Sequence, residues 1–213
     1  MDHSTPRQEQ KAKTRKALID AALGCFEQTG FRETSIGAIT SAAGVAHGTF
    51  YVHFASKDAL LDELLDDFNQ GLVQRLAPLW HGSGLETLPV HIHASAETFL
   101  AYWAERQGFV ETYTQKVADG ISLIDLRQGL AIPVLDLAAA QLEHIAQDVG
   151  ADFPESRLVV QSLLALWARV GLHHLFDGSI DRSGAADLLT RLTLGALQGV
   201  LPEAARRWNR EER

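Results

Sequence analysis

The sequence predicts an all-α fold, in which an N-terminal three-helix domain with a helix-turn-helix precedes a larger C-terminal helical domain. Apolar residues recur at helical spacing in nearly every segment, and no segment alternates apolar and polar residues as a strand would. Glycines and prolines fall between these periodic segments, at positions typical of helix ends and starts. The predicted domains are residues 10–58 and residues 59–213.

Composition and charge are those of a folded protein with two different regions. Of the 213 residues, 46% are hydrophobic and 22% are charged, which argues against a disordered chain. The net charge is −8, but residues 1–60 hold seven basic and six acidic side chains, a balance of +1. Residues 61–213 therefore carry −9. A local basic face is enough to contact phosphates, because salt limits each charge to about 10 Å.

The first two helices are marked by a stripe and by caps. Leu18 and Phe26 belong to an apolar stripe that ends before Gly30, a residue suited to a helix C-terminus. The hydroxyl of Ser35 can begin the second helix, which Gly44 ends.

A short third helix is predicted from Val45 to Phe54, with Val45, Phe50 and Phe54 as its anchors. Ser56 can cap a fourth helix that continues to about residue 79. A loop is predicted over residues 78–89. Further helices are predicted at about 90–107, 108–128 with an interruption near Gly120, 133–149, 155–176 and 183–202.

The pattern from residue 35 to residue 54 predicts a helix-turn-helix. Its second helix is short and polar, and the outward side chains suit phosphates and base edges: His47, Gly48, Thr49, Tyr51 and His53. Gly48 allows close backbone approach, and Thr49 offers a hydroxyl and a methyl group. Ser35 and Lys57 are placed for phosphate contacts.

The stretch from Thr14 to Leu65 resembles the N-terminal domain of the TetR family of bacterial transcriptional repressors. The matching elements are the run AALGCF, the turn GFRETS, the segment from Ile39 to Val45 and the run GTFYVHFASKD. The match covers roughly residues 10–70, and the rest of the chain agrees in length and helical character.

The resemblance implies a DNA-binding homodimeric repressor that a small-molecule effector releases from its operator. Ser35 would cap the second helix and touch phosphate, and His47, Gly48 and Thr49 would face the major groove. The backbone would be held by Tyr51, His53 and Lys57. Many members have an aromatic residue where this chain has Val52.

The same resemblance implies an effector pocket and a dimer interface in the C-terminal domain. Apolar residues on the helix from Glu155, and small residues such as Gly195 and Gly199 on the last helix, favour a four-helix interface, with ordinary core as the alternative. The pocket is expected to take a hydrophobic or aromatic effector. Its candidates, which could equally be core residues, are Trp80, Phe99, Tyr102, Trp103, Phe109, Tyr113 and Trp167.

The spacing of the histidines does not predict a metal site. His93 and Glu97 share a helix face, but no His-x-x-x-His pair or cysteine cluster accompanies them. The other histidines considered are His91, His144, His173 and His174. No cofactor is predicted.

No nucleophile elbow, phosphate loop, dinucleotide fingerprint or zinc-hydrolase motif occurs, so an enzyme is not expected. The polar N-terminus, the single Cys25 and the lack of a long uninterrupted apolar run indicate the cytoplasm and no membrane partner. The alternatives to the repressor are a metal-responsive regulator and a helical interaction protein without DNA binding.

Overall fold

The computed structural model describes residues 5–80, 84–118, 132–148 and 150–201. All regular structure in these ranges is helical, in agreement with the predicted class. In chain order the helices are α1 (Pro6–Thr29), α2 (Ile36–Ala42), α3 (His47–His53), α4 (Lys57–Leu76), α5 (Leu88–Glu105), α6 (Gln107–Ala118), α7 (Ile132–Asp148), α8 (Ser156–Leu172) and α9 (Arg182–Val200). A 3-10 turn, Ala77–Trp80, follows α4, and a π-helical turn, His173–Asp177, extends α8.

Contacts divide the chain into two compact units. Within the described residues, the first unit contains 5–68 and 106–118, and the second contains 69–105 and 132–201. The first unit thus holds α1 to α3, the beginning of α4, and α6. The predicted division after residue 58 falls within α4, and it assigned residues 59–68 and the whole of α6 to the C-terminal domain.

Local capping explains why the first unit turns where it does. The backbone of Gly30, with φ of 81°, ends α1, and its N–H donates to the carbonyl of Phe26. Ser35 Oγ accepts from the N–H of Ala38 at 3.1 Å and begins α2. The turn before α3 contains Gly44 with φ of 68°, a left-handed conformation that glycine adopts without strain.

The core of the first unit joins one face of each helix. Leu18 from α1, Ile39 from α2, Phe50 from α3 and Leu60 from α4 are completely buried. α6 packs on α1, and the ring of its Phe109 lies 4.9 Å from that of Phe68, centroid to centroid. The helix-turn-helix is therefore seated on a continuous apolar core.

In the second unit, α5 packs on α9 and on α8, while α8 also packs on α7 and α9. Its core includes Leu100 and Tyr102 of α5, Ile145 of α7 and Leu189 of α9, all exposed by no more than 1%. These helices enclose a cavity, described below.

Several helix starts differ from the prediction. α3 begins at His47 and not at Val45, because Ala46 has extended backbone angles. α5 begins earlier than predicted, with Pro89 in its first turn. α9 is capped by Asp181, whose Oδ1 accepts from the N–H of Gly184 at 2.8 Å, and not by Ser183. The predicted interruption near Gly120 lies outside the described residues.

Candidate functional site

The outer side of α3 presents an exposed surface, which we call the α3 surface, formed by His47, Gly48, Tyr51 and Val52. Tyr51 is 54% exposed and Val52 is 68% exposed, whereas Phe50 on the inner side is 0% exposed. The rings of His47 and Tyr51 lie side by side, with centroids 5.7 Å apart. One helical turn thus displays two aromatic rings that can form hydrogen bonds, beside the exposed backbone of Gly48.

Thr49 and Ser35 flank the α3 surface. Thr49 is half-buried on α3, and Ser35 is exposed at the start of α2. The hydroxyl oxygen of Ser35 accepts a hydrogen bond from the backbone of its own helix. Its proton can still be donated to another group. The predicted DNA contacts of α2 and α3 therefore lie on one short segment of chain.

Arg15 fixes the C-terminal end of α3. Its Nη1 donates to the carbonyl of His53 at 3.0 Å, and its Nε donates to Glu63 Oε1 at 3.0 Å. The guanidinium also lies 4.5 Å from the centroid of the Phe54 ring. Arg15 thereby links α1, α3 and α4. Sequence reasoning missed it, because nothing at residue 15 signals partners that lie about 40 to 50 positions further along the chain.

His53 was predicted to hold the DNA backbone, and the structure places it half-buried beside Arg15. Burial lowers the pKa of His53, and the positive charges of Arg15 and Lys11 lower it further. Its Nδ1 is buried without a hydrogen-bond partner in the part of the chain that the structure describes. At neutral pH the ring is therefore uncharged and offers hydrogen bonds rather than charge.

Lys57 was predicted to contact phosphate, and the structure gives its ammonium group an internal role. Nζ donates to the carbonyls of Phe31 at 2.5 Å, Thr34 at 2.7 Å and Arg32 at 3.2 Å. It also lies 4.5 Å from the centroid of the Phe31 ring. The first residue of α4 thus holds the turn that leads into Ser35 and α2.

Replacing Lys57 with methionine is expected to lower the free energy of unfolding by about 2 kcal/mol, because the three hydrogen bonds that its charged ammonium group donates are lost. Urea denaturation of the DNA-free protein measures this loss. Lys13→Met removes an exposed charge from α1 and serves as the control, with a change within about 0.5 kcal/mol. Equal stabilities of the two variants would show that the carbonyl contacts do not hold the turn.

The second unit contains a cavity of about 690 Å³, part of which is open to solvent. Residues of α4, α5, α7, α8 and α9 surround it, and nearly all of them are aliphatic or aromatic. The lining residues are Leu76, Trp80, Ile92, Ser95, Phe99, Val134, Leu137, Ala138, Leu142, Val160, Leu163, Leu164, Trp167, Thr193 and Leu197. A predominantly apolar lining with a few polar groups is the usual character of a small-molecule site.

The structure brings some of the predicted pocket residues to this cavity and leaves others away from it. Phe99, Trp167 and Trp80 line the cavity. Tyr102 and Trp103 are buried in the same unit but are not among the lining residues. Phe109 and Tyr113 belong to the first unit, where their rings lie 6.1 Å apart, centroid to centroid. Ser95 and Thr193 were missed, because single hydroxyls on apolar helix faces carry no recognisable pattern.

The histidines that could have been metal ligands each contact a different group. His93 Nδ1 lies 3.3 Å from Thr190 Oγ1, while Glu97 pairs with Arg182 at 3.1 Å. The others contact different groups: His91 the Trp80 ring, His144 Asp148, His173 Asp177, and His174 the carbonyl of Ile180. No three metal-binding side chains are grouped among the residues described.

Comparison with known proteins identifies the segment that contains α2 and α3. Residues 18–64 match the family model "Bacterial regulatory proteins, tetR family". The repressor KstR2 of Rhodococcus jostii is 40% identical over 58 residues, which are 27% of this chain and 28% of that protein. The match to this relative spans less than a third of either protein.

Two further comparisons extend beyond this segment. The A-factor receptor protein of Streptomyces griseus is 33% identical over 184 residues, 85% of this chain and 60% of that protein. A TetR-like transcriptional regulator from Rhodococcus sp. RHA1 superimposes with a TM-score of 0.62 at 25% identity, covering 87% of this chain and 96% of that one. The chain therefore spans less than two thirds of these curated relatives but nearly the whole of a solved neighbour.

Proposed function

We propose that the chain is a DNA-binding transcriptional regulator of the TetR family, a homodimeric repressor that a small-molecule effector releases from its operator. The α3 surface is the observation that carries this proposal. A seven-residue helix whose inner side is anchored by buried Phe50 displays small and hydrogen-bonding residues outward. Such a helix fits the major groove of DNA.

Each predicted contact then has a role. His47, Gly48 and Thr49 face the base edges, with Gly48 allowing the backbone close to the DNA. Ser35 and Tyr51 contact phosphates, and uncharged His53 adds a hydrogen bond beside them. Lys57 supports DNA binding by holding the turn before Ser35. To bind a phosphate directly, its ammonium group would have to give up hydrogen bonds to backbone carbonyls.

The dimer is proposed to form through α8 and α9. Seven large apolar residues are well exposed in the described chain, and four of them lie on α8, its π-helical extension and α9: Leu158, Phe176, Leu192 and Val200. The segment Ser156–Asp177 is long and apolar enough to cross a membrane, yet only 17% of its most apolar window is buried. A second copy of the chain, with the same apolar face, would cover it.

Introducing a charge at Leu158, which is 61% exposed, is expected to weaken the dimer. In a two-fold interface Leu158→Asp buries two unpaired carboxylates, and we expect the dissociation constant to rise about 100-fold, or about 2.7 kcal/mol. Val90→Asp, on 70% exposed Val90 of α5, is the control and should leave it unchanged. Sedimentation equilibrium measures both, and a wild-type monomer at micromolar concentration would contradict this interface.

Effector release is proposed to work through α4. This helix begins at Lys57 in the first unit, and its last residue, Leu76, lines the cavity of the second unit. DNA binding requires one spacing of the two α3 helices in the dimer, and a ligand that prefers a conformation with another spacing weakens DNA binding. Bound DNA weakens the binding of that ligand by the same factor. We also propose that the regulator acts in the cytoplasm, where its operator would be.

Fluorescence anisotropy with a labelled duplex from the DNA preceding its own gene tests the proposal. The logarithm of the affinity should fall steeply and linearly with the logarithm of the salt concentration, because bound phosphates release counterions. Absence of binding at about 50 mM salt, or an affinity independent of salt, would exclude operator binding through this surface.

A further inference from the structure

The cavity of the second unit contains a buried hydroxyl that lacks a hydrogen-bond partner among the described residues. Ser95, on α5, is only 3% exposed and lines the cavity, and none of the residues that the structure describes makes a hydrogen bond with its Oγ. A hydroxyl can donate one hydrogen bond and accept two, and leaving a buried one unsatisfied costs about 1–3 kcal/mol. This atom therefore requires a partner that enters the cavity.

A second hydroxyl on the cavity wall has a proton to donate. Trp167 Nε1 donates to Thr193 Oγ1 at 2.9 Å, so the Thr193 oxygen is already used as an acceptor. Its proton has no acceptor among the described residues, and Thr193 is 6% exposed. Both hydroxyls are thus suited to donate to an acceptor atom of a ligand.

The described lining offers no charged partner to a ligand inside the cavity. The fifteen lining residues contain no lysine, arginine, histidine, aspartate or glutamate. Burial of an ionised carboxylate or ammonium group without a partner of opposite charge is strongly unfavourable. A neutral acceptor makes hydrogen bonds with the hydroxyls without that cost.

We propose that this cavity binds an uncharged, predominantly apolar small molecule whose carbonyl oxygen accepts a hydrogen bond from Ser95 Oγ. The inference deepens the proposed function and rests on it, since that function makes this cavity the effector site. The aliphatic wall, including Ile92 and Leu163, covers the hydrocarbon part of the molecule. Phe99 and Trp167 form its aromatic part, with centroids 5.6 Å apart.

Two probes of equal chain length test the ligand class on the full-length protein. 2-Undecanone carries one neutral carbonyl, and undecanoate carries a carboxylate. Titration followed by tryptophan fluorescence is suitable because Trp80 and Trp167 line the cavity. The ketone should bind at least about tenfold more tightly than the carboxylate. Equal or tighter binding of undecanoate, or no binding of the ketone, would overturn the proposal.

The role of Ser95 is tested by Ser95→Ala, with Ser183→Ala at an exposed position in the first turn of α9 as the control. Ser95→Ala should weaken ketone binding about three- to tenfold without lowering the melting temperature of the free protein, because it removes no internal hydrogen bond. An unchanged ketone affinity, or a loss of stability in the free protein as expected for a serine that holds a buried water, would overturn the assignment.

Operator binding is measured on the same preparations by anisotropy. If DNA binding persists while the ketone fails to bind, the ligand class is wrong and the proposed regulator stands. If DNA binding is absent while the ketone binds through Ser95, the binding site stands and the proposed regulator falls.

Discussion

Gly48→Glu is expected to reduce operator affinity at least about 100-fold while leaving the helix-turn-helix folded. Gly48 is exposed on α3, and a side chain built there would meet nothing within 4 Å. Glutamate has a higher helix propensity than glycine, and a carboxylate near the helix N-terminus is favoured by the helix dipole. The free energy of unfolding should therefore rise by about 0.5–1 kcal/mol.

The loss of affinity has a simple electrostatic reason. If the α3 surface faces DNA, the new carboxylate enters the negative potential of the phosphates, and juxtaposed like charges repel strongly. Gln70→Glu adds the same charge at an exposed position of α4 in the second unit and should leave affinity within about twofold. A Gly48→Glu protein that binds the operator like the wild type would place DNA elsewhere on the molecule.

Phe50→Ala is expected to destabilise the first unit by about 3–5 kcal/mol, because it removes an aromatic side chain from a packed core. Phe50 is 0% exposed, and its ring lies 5.6 Å from those of Phe54 and Tyr51, centroid to centroid. Against a typical total stability of about 5–15 kcal/mol this loss is large, and it raises the ratio of unfolded to folded protein at least about 100-fold. DNA affinity should fall with it.

Val52→Ala on the same helix is the matched control for Phe50→Ala. Val52 is 68% exposed, so its replacement should change the free energy of unfolding by less than about 0.5 kcal/mol. Circular dichroism during urea denaturation compares the two variants. Similar losses from both would mean that α3 does not pack by the side that contains Phe50.

The helix-turn-helix could be predicted from sequence because its determinants are local. The hydroxyl of Ser35 and the glycines Gly30 and Gly44 act on neighbouring backbone groups, and the apolar stripe of α1 repeats within one helix. For the same reason Ser56 was correctly predicted to cap α4, where its Oγ accepts from the N–H of Ala59 at 3.0 Å.

Contacts between distant residues could not be predicted. Lys57 carries the charge expected of a phosphate ligand, but its partners at residues 31, 32 and 34 are known only from the fold. Phe109 and Tyr113 have the aromatic character of pocket residues, yet α6 packs on α1 in the first unit. Helical spacing identifies a buried face without specifying which helix covers it.

The cavity shows the same limit at single-atom scale. Its hydrophobic character follows from composition, whereas the unpartnered hydroxyl of Ser95 depends on how five helices are arranged around the cavity. The apolar surface of α8 and α9 was predictable as a stripe. That this stripe is exposed in the single chain depends on the fold, because α8 and α9 contact each other through other residues, Trp167 and Thr193.

The central claim is that the α3 surfaces of two copies read DNA together, and selection from a random pool of DNA duplexes tests it most directly. We expect the wild-type protein to enrich a two-fold symmetric site whose half-sites lie one helical turn apart, about 34–36 Å or a multiple of it, centre to centre. The Gly48→Glu protein should enrich no sequence. A pool that remains random with the wild type, or an identical site enriched by Gly48→Glu, would contradict the account.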